Sequence, residues 1–73
     1  MITHTIEEFI DCVQPNVNAW AEDIKKYPEL PGIKELNINR MKIVLDTLKE
    51  VAPFELDLIF YVSNLINECE EWL

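Results

Sequence analysis

Residues 56–73 read Leu-Asp-Leu-Ile-Phe-Tyr-Val-Ser-Asn-Leu-Ile-Asn-Glu-Cys-Glu-Glu-Trp-Leu, and the fold class turns on how residues 58–62 inside that stretch are read. Five consecutive apolar residues rich in aromatic and β-branched side chains suit a strand when taken alone. They are not alone. Leu58, Ile59, Val62, Leu65, Ile66, Cys69, Trp72 and Leu73 recur at intervals of three and four, so one face stays apolar for several helical turns beyond the ambiguous run. No other part of the chain alternates with a period of two, so a strand here has no partner. The spacing predicts a helix over 54–72, with Pro53 tolerated in its first turn.

Working back from this helix, Pro53 also ends the segment before it, because the residue preceding a proline is pushed out of the helical region. Ile38, Met41, Val44, Leu45, Leu48, Val51 and Ala52 share one arc at about 100° per residue. This predicts a helix over 38–52, capped by Asn37 or Asn39. Ile43 points away from that arc. The sequence from Tyr27 to Gly32 holds two prolines and the chain's single glycine, and reads as a connection inside one domain, since neither side could bury a core by itself.

At the other end, Thr5-Ile6-Glu7-Glu8 fits a capping box, in which the Thr5 hydroxyl accepts from the Glu8 amide and the Glu8 carboxylate from the Thr5 amide. Ile6, Phe9, Ile10 and Val13 form the stripe of the helix it would start, and Val17, Trp20, Ala21, Ile24 and Tyr27 continue that stripe in nearly the same phase. Pro15 lies between them and lacks an amide hydrogen. The expected arrangement is therefore two helices, 5–14 and 16–27, meeting at a tight corner, with Gln14 or Asn16 near the second cap. The fold expected is all-α: residues 1–73 as a single helical domain, a small compact bundle of about four helices.

Charge is distributed unevenly along this pattern. The chain has 73 residues and a formal net charge of −8, and all six basic residues lie between Lys25 and Lys49. Residues 1–24 carry five acids, residues 50–73 carry six, and neither flank has a Lys or Arg. Hydrophobic residues make up 49% of the chain, well above the level of disordered chains and generous for so short a protein, so part of that surface is expected to meet a partner or a second copy. The longest apolar run is far below the roughly 20 residues of a membrane span. The first residues have neither the basic start nor the apolar stretch of a secretory leader, which makes the cytoplasm the expected location. Cys12 and Cys69 are expected as free, mostly buried thiols; they are too few and too far apart for a metal site.

Several chemistries lack parts. Nucleophilic catalysis needs a base beside a nucleophile, and the chain has one His (His4, expected to be exposed without a role) and one Ser (Ser63). Gly32 alone cannot build a phosphate-cradling loop. Glu68 and Glu71 share a helical face, but no His accompanies them as in dimetal helical bundles. No enzyme, cofactor or metal is expected. A helix, a Pro-bearing turn and a helix over 38–73 superficially resemble a helix-turn-helix pair, yet the second helix is acidic where phosphate contact needs a basic face. Direct nucleic-acid binding is not expected.

What remains is surface. On the last helix, Asp57, Ser63, Asn64, Asn67, Glu68, Glu70 and Glu71 lie opposite the apolar stripe, and Phe60 falls in the middle of that polar arc with Leu56 close by. An aromatic side chain within a polar face is a typical interface anchor, unless the N-terminal helices cover it. The candidate partner-binding residues are Leu56, Asp57, Phe60, Asn64, Glu68 and Glu71, with Ile43 as a weaker addition. The function expected is a non-enzymatic acidic protein-binding module that inhibits or modulates a larger partner. Its carboxylates would imitate the phosphate rows of DNA on a basic, nucleic-acid-binding surface, as small accessory proteins of phages and mobile elements do. A homodimer is part of the same expectation. The alternatives are a helix-turn-helix-like DNA-binding regulator and a structural subunit of a larger oligomer.

Overall fold

In the computed structural model, which describes the backbone of residues 2–72 and the side chains of residues 6–72, the chain forms three helices. These are α1 (Ile2–Lys26), α2 (Pro31–Val51) and α3 (Leu56–Glu71). The described residues contain no strand, so residues 58–62 are helical as their wider periodicity requires. The helices pack on one shared cluster. Val13, Val17, Ala21 and Ile24 come from α1, Ile38, Met41 and Leu48 from α2, Val62, Ile66 and Cys69 from α3, and Ala52 from the turn between α2 and α3. Phe9, Ile10, Trp20, Val44, Leu45, Leu58, Ile59, Leu65 and Trp72 are partly buried against it.

Three helices replace the four expected because Pro15 does not divide α1. Its missing N–H leaves the Asp11 carbonyl without the usual intrahelical donor, and a proline inside a helix costs about 3 kcal/mol. Both Asp11 and Pro15 are exposed, so water can reach that carbonyl. On the opposite face Val13 and Val17, 1% and 0% exposed, lie on either side of the proline. Full burial of one such side chain contributes about 1.5–3 kcal/mol, so keeping the stripe in register through Val17, Ala21 and Ile24 outweighs the proline. The Thr5 capping box is not at the helix start, since α1 already runs from Ile2. The side chains of His4 and Thr5 lie outside the described residues.

α2 begins earlier than 38. Pro31 occupies its first turn, where a missing N–H is harmless, and Gly32 sits inside that turn with open space where a Cβ would be. Residues 27–30 form the connection through bonds from the Leu30 amide to the Tyr27 carbonyl (3.1 Å) and from the Ile33 amide to the Leu30 carbonyl (3.0 Å). Asn37 is therefore not a cap but a buried mid-helix residue, 3% exposed. Its Nδ2 donates to the Trp20 carbonyl at 3.1 Å, and its Oδ1 accepts from Arg40 Nη1 at 3.5 Å. Asn39 is exposed and within the helix.

α2 ends at Val51, and the Ala52 amide still donates to the Leu48 carbonyl at 2.9 Å. Pro53 lies in the turn rather than in the first turn of α3, which starts at Leu56 and, at 16 residues, is the shortest helix. The end of α3 is held by side chains from its neighbours. Three acids, Glu68, Glu70 and Glu71, sit at the negative end of its dipole with no base of its own in the last turn. Lys34 of α2 donates to the Glu70 carbonyl (3.3 Å) and to the Trp72 carbonyl, Lys42 pairs with the Glu70 carboxylate at 3.0 Å, and Lys25 of α1 lies 4.9 Å from the centroid of the Trp72 ring.

The principal extents are 42 × 20 × 15 Å. The long dimension is that of α1, whose 25 residues span about 37 Å at 1.5 Å per residue.

Total stability for a chain of this size is about 4–11 kcal/mol. A carboxylate forced into the apolar contact at Val13 or Val17 should remove most of it. Val13→Asp and Val17→Asp are each expected to abolish cooperative unfolding in urea followed by far-ultraviolet circular dichroism; a wild-type transition in either would mean that the stripe does not run through Pro15. Asn37→Ala is expected to lower stability by about 1–3 kcal/mol, through loss of a buried hydrogen-bonded group. Asn39→Ala should stay within about 0.5 kcal/mol in the same denaturation experiment. Equal costs would contradict the buried role of Asn37.

Candidate protein-binding surface

α3 turns Val62, Ile66 and Cys69 inward, and the three-to-four spacing then sends Leu56, Asp57, Phe60, Asn64, Glu68 and Glu71 outward. All six are exposed. Phe60 is 63% exposed and Leu56 59%, so the N-terminal part of α1 does not cover them. They form an apolar spot on a helical face whose only charged groups are carboxylates. Glu70 differs from its neighbours because Lys42 engages it.

Ile43 is also exposed, at 66%, but it is on another helix. It occupies the outer side of α2, with exposed Leu36 seven residues before it. The outward faces of two helices in a three-helix bundle diverge, so Ile43 does not join the Phe60 face.

A second apolar surface was not legible as such in the sequence. Phe54, in the turn before α3, is 70% exposed, and Val51 beside it is 36% exposed. With Ile6, Glu7, Ile10, Asp11 and Glu55 they line a groove of about 470 Å³ between the N-terminal half of α1 and the α2–α3 turn. It adjoins a cleft of about 800 Å³ between α1 and α3, bounded by Ile10, Asp11, Gln14, Pro15, Asn18, Glu55, Asp57, Leu58 and Tyr61. The Tyr61 hydroxyl donates to Asn18 Oδ1, tying α3 to α1 along this cleft. The sequence signal for the groove was Phe54 itself, a large apolar residue in a turn and outside every stripe.

The cleft and groove present carboxylates, amides and a phenol. Among the described residues no group of three His, Cys, Asp or Glu side chains could hold a metal ion, and no helix is long and apolar enough to cross a membrane. Cys12 and Cys69 are free. Cys12 is exposed rather than buried as expected; Cys69 is buried, and its burial, with Glu68 adjacent, pushes the thiol above its ordinary pKa and keeps it protonated.

Comparison with protein-family models, with curated proteins and with solved structures finds no match to this chain.

Proposed function

We propose that this protein is a non-enzymatic binding module whose outer α3 face docks on a basic surface of a larger protein and thereby inhibits or modulates it. The supporting observation is the exposure of Phe60 and Leu56 among Asp57, Asn64, Glu68 and Glu71, with no base on that face. Large apolar side chains held on a rigid helix bury area at low entropic cost, and surrounding carboxylates steer a cationic partner and reject an anionic one. A partner that normally holds nucleic acid is the natural target, because the spaced carboxylates of α3 offer it negative charge in place of phosphates. The same carboxylates argue against α2, the turn and α3 acting as a helix-turn-helix reader, since duplex phosphates would meet negative charge on the second helix.

A second reading is self-association. Among the described residues nine large hydrophobic side chains are at least 36% exposed, including Phe60, Phe54, Ile43, Leu56 and Leu36. That is more apolar surface than isolated exposed residues explain, and a homodimer is the simplest closed assembly that would cover part of it.

Two outcomes test these readings. With a partner captured from the native cell, affinity is expected to fall steeply between about 50 mM and about 500 mM salt, since exposed charge pairs are screened over roughly 8 Å. Glu68→Gln with Glu71→Gln should slow association more than it speeds dissociation, and DNA should compete. Salt-independent binding that survives excess DNA would remove the carboxylates from the explanation. For the chain alone, sedimentation at high micromolar concentration is expected to show a dimer, and Phe60→Asp to dissociate it with helical circular dichroism intact. A monomer throughout would remove self-association.

A further inference from the structure

The three helices differ in length. α1 has 25 residues, α2 21 and α3 16. The bond from Asn37 to the Trp20 carbonyl sets the register of α2 against α1, and antiparallel packing from that point brings Val51 level with Ile6. α3 starts beyond this level, its first residues lining a cleft with Ile10, Asp11 and Gln14. α1 thus extends past the start of α3, and its apolar stripe at Ile6 and Ile10 has no third helix over it. The groove holding Ile6, Ile10, Val51 and Phe54 is the result. Residues 2–5 carry on as helix along the α1 axis and do not fold back over it.

We infer that this groove is a docking site for a basic amphipathic helix of a partner protein, seated where the missing length of α3 leaves the α1 stripe open. Charge selects the occupant. Glu7, Asp11 and Glu55 line the groove and Asp57 the adjoining cleft, and among the described residues no Lys, Arg or His lines either. The basic residues Lys25, Lys34 and Lys42 are engaged around the far end of α3; Lys49, in the last turn of α2, is the base nearest this end in sequence, and it does not line the groove. A helix with apolar residues at intervals of three and four, and Lys or Arg beside them, would place its apolar face on Ile6, Ile10, Val51 and Phe54 and its cations against the carboxylates. The groove itself shares no lining residue with the Phe60 face; Asp57 belongs both to that face and to the adjoining cleft.

The test uses the full chain labelled with ¹⁵N and a synthetic helical peptide of Leu and Lys at that spacing, with a Leu and Glu peptide as control. Saturable binding of the Lys peptide is expected, with amide shift changes concentrated in residues 6–11 and 51–55. Phe54→Ser, and separately Glu7→Gln with Asp11→Asn, should each weaken it about tenfold or more. Phe60→Ser should bind the peptide as the wild type does. The altered positions are exposed, and unchanged thermal melting checks that each variant folds; the carboxylate variant suffices if Phe54→Ser does not. Shifts concentrated on the outer face of α3 or scattered over all carboxylates, equal binding of the Glu peptide, or absence of saturation would overturn the inference. So would a dimer of the chain alone that Phe54→Ser dissociates, because the occupant would then be a second copy.

Discussion

The continuity of α1 through Pro15 is the constraint on which the other features depend. One apolar stripe, from partly buried Phe9 through buried Val13, Val17, Ala21 and Ile24, gives α2 and α3 a single continuous surface to pack on. If the chain turned at Pro15, Val13 and Val17 would belong to different helices and the long axis of the molecule would be lost. The proline lies on the exposed side, where its steric and hydrogen-bond cost is a local matter between its ring, the Asp11 carbonyl and water. The apolar contacts that oppose that cost are on the other side. Because α1 stays whole, it is longer than its partners, and the uncovered groove at its N-terminal half follows from that length.

The uneven charge of the chain also has a structural component. Three of the six basic residues, Lys25, Lys34 and Lys42, converge on the C-terminal end of α3. There Lys34 meets the Glu70 and Trp72 carbonyls and Lys42 the Glu70 carboxylate, groups at the negative end of the helix dipole, while Lys25 lies over the Trp72 ring. Separation of charge in sequence thus becomes partial neutralisation in space, at one end only. The Lys42–Glu70 pair is about half exposed, and such pairs contribute at most about 1 kcal/mol. Their larger effect is on surface chemistry: Lys42 occupies Glu70, whereas among the described residues no ion pair engages Glu68, Glu71 or the acids around the groove.

Helical periodicity made most of the core legible. Val13, Val17, Ile38, Met41, Leu48, Val62, Ile66 and Cys69 are all where their three-to-four spacing puts them, and the exposure of Phe60 and Ile43 follows from the same spacing. The misreadings share a cause. Local preference reads Pro15 as a helix breaker and Asn37 as a cap, and in both cases packing outweighs it; Pro31 starts α2 because a first turn tolerates proline. Asn37 is a clear case, since its amide reaches a carbonyl 17 residues away, a partner that no local pattern contains. The groove was hidden for a related reason. Whether Ile6, Val51 and Phe54 are covered depends on the relative lengths of three helices, and boundaries are the least legible part of a sequence.

Charge also orders the readings of the exposed apolar residues. Two copies of a chain with net charge −8 repel one another. Self-association has to overcome that repulsion with apolar contact alone, and it strengthens as salt screens the charge. A cationic partner gains from the same field and weakens as salt rises. The acids beside Phe60 and those around the groove are therefore unfavourable to a symmetric contact and favourable to a basic one at both surfaces. Since these residues lie outside the buried core, the chain can present them without compromising Val13, Met41, Leu48 or Val62, which hold the helices together. In the proposed reading, binding and folding are carried by different side chains of the same helices, and the sign of the salt dependence is the physical quantity that separates a second copy from a basic partner.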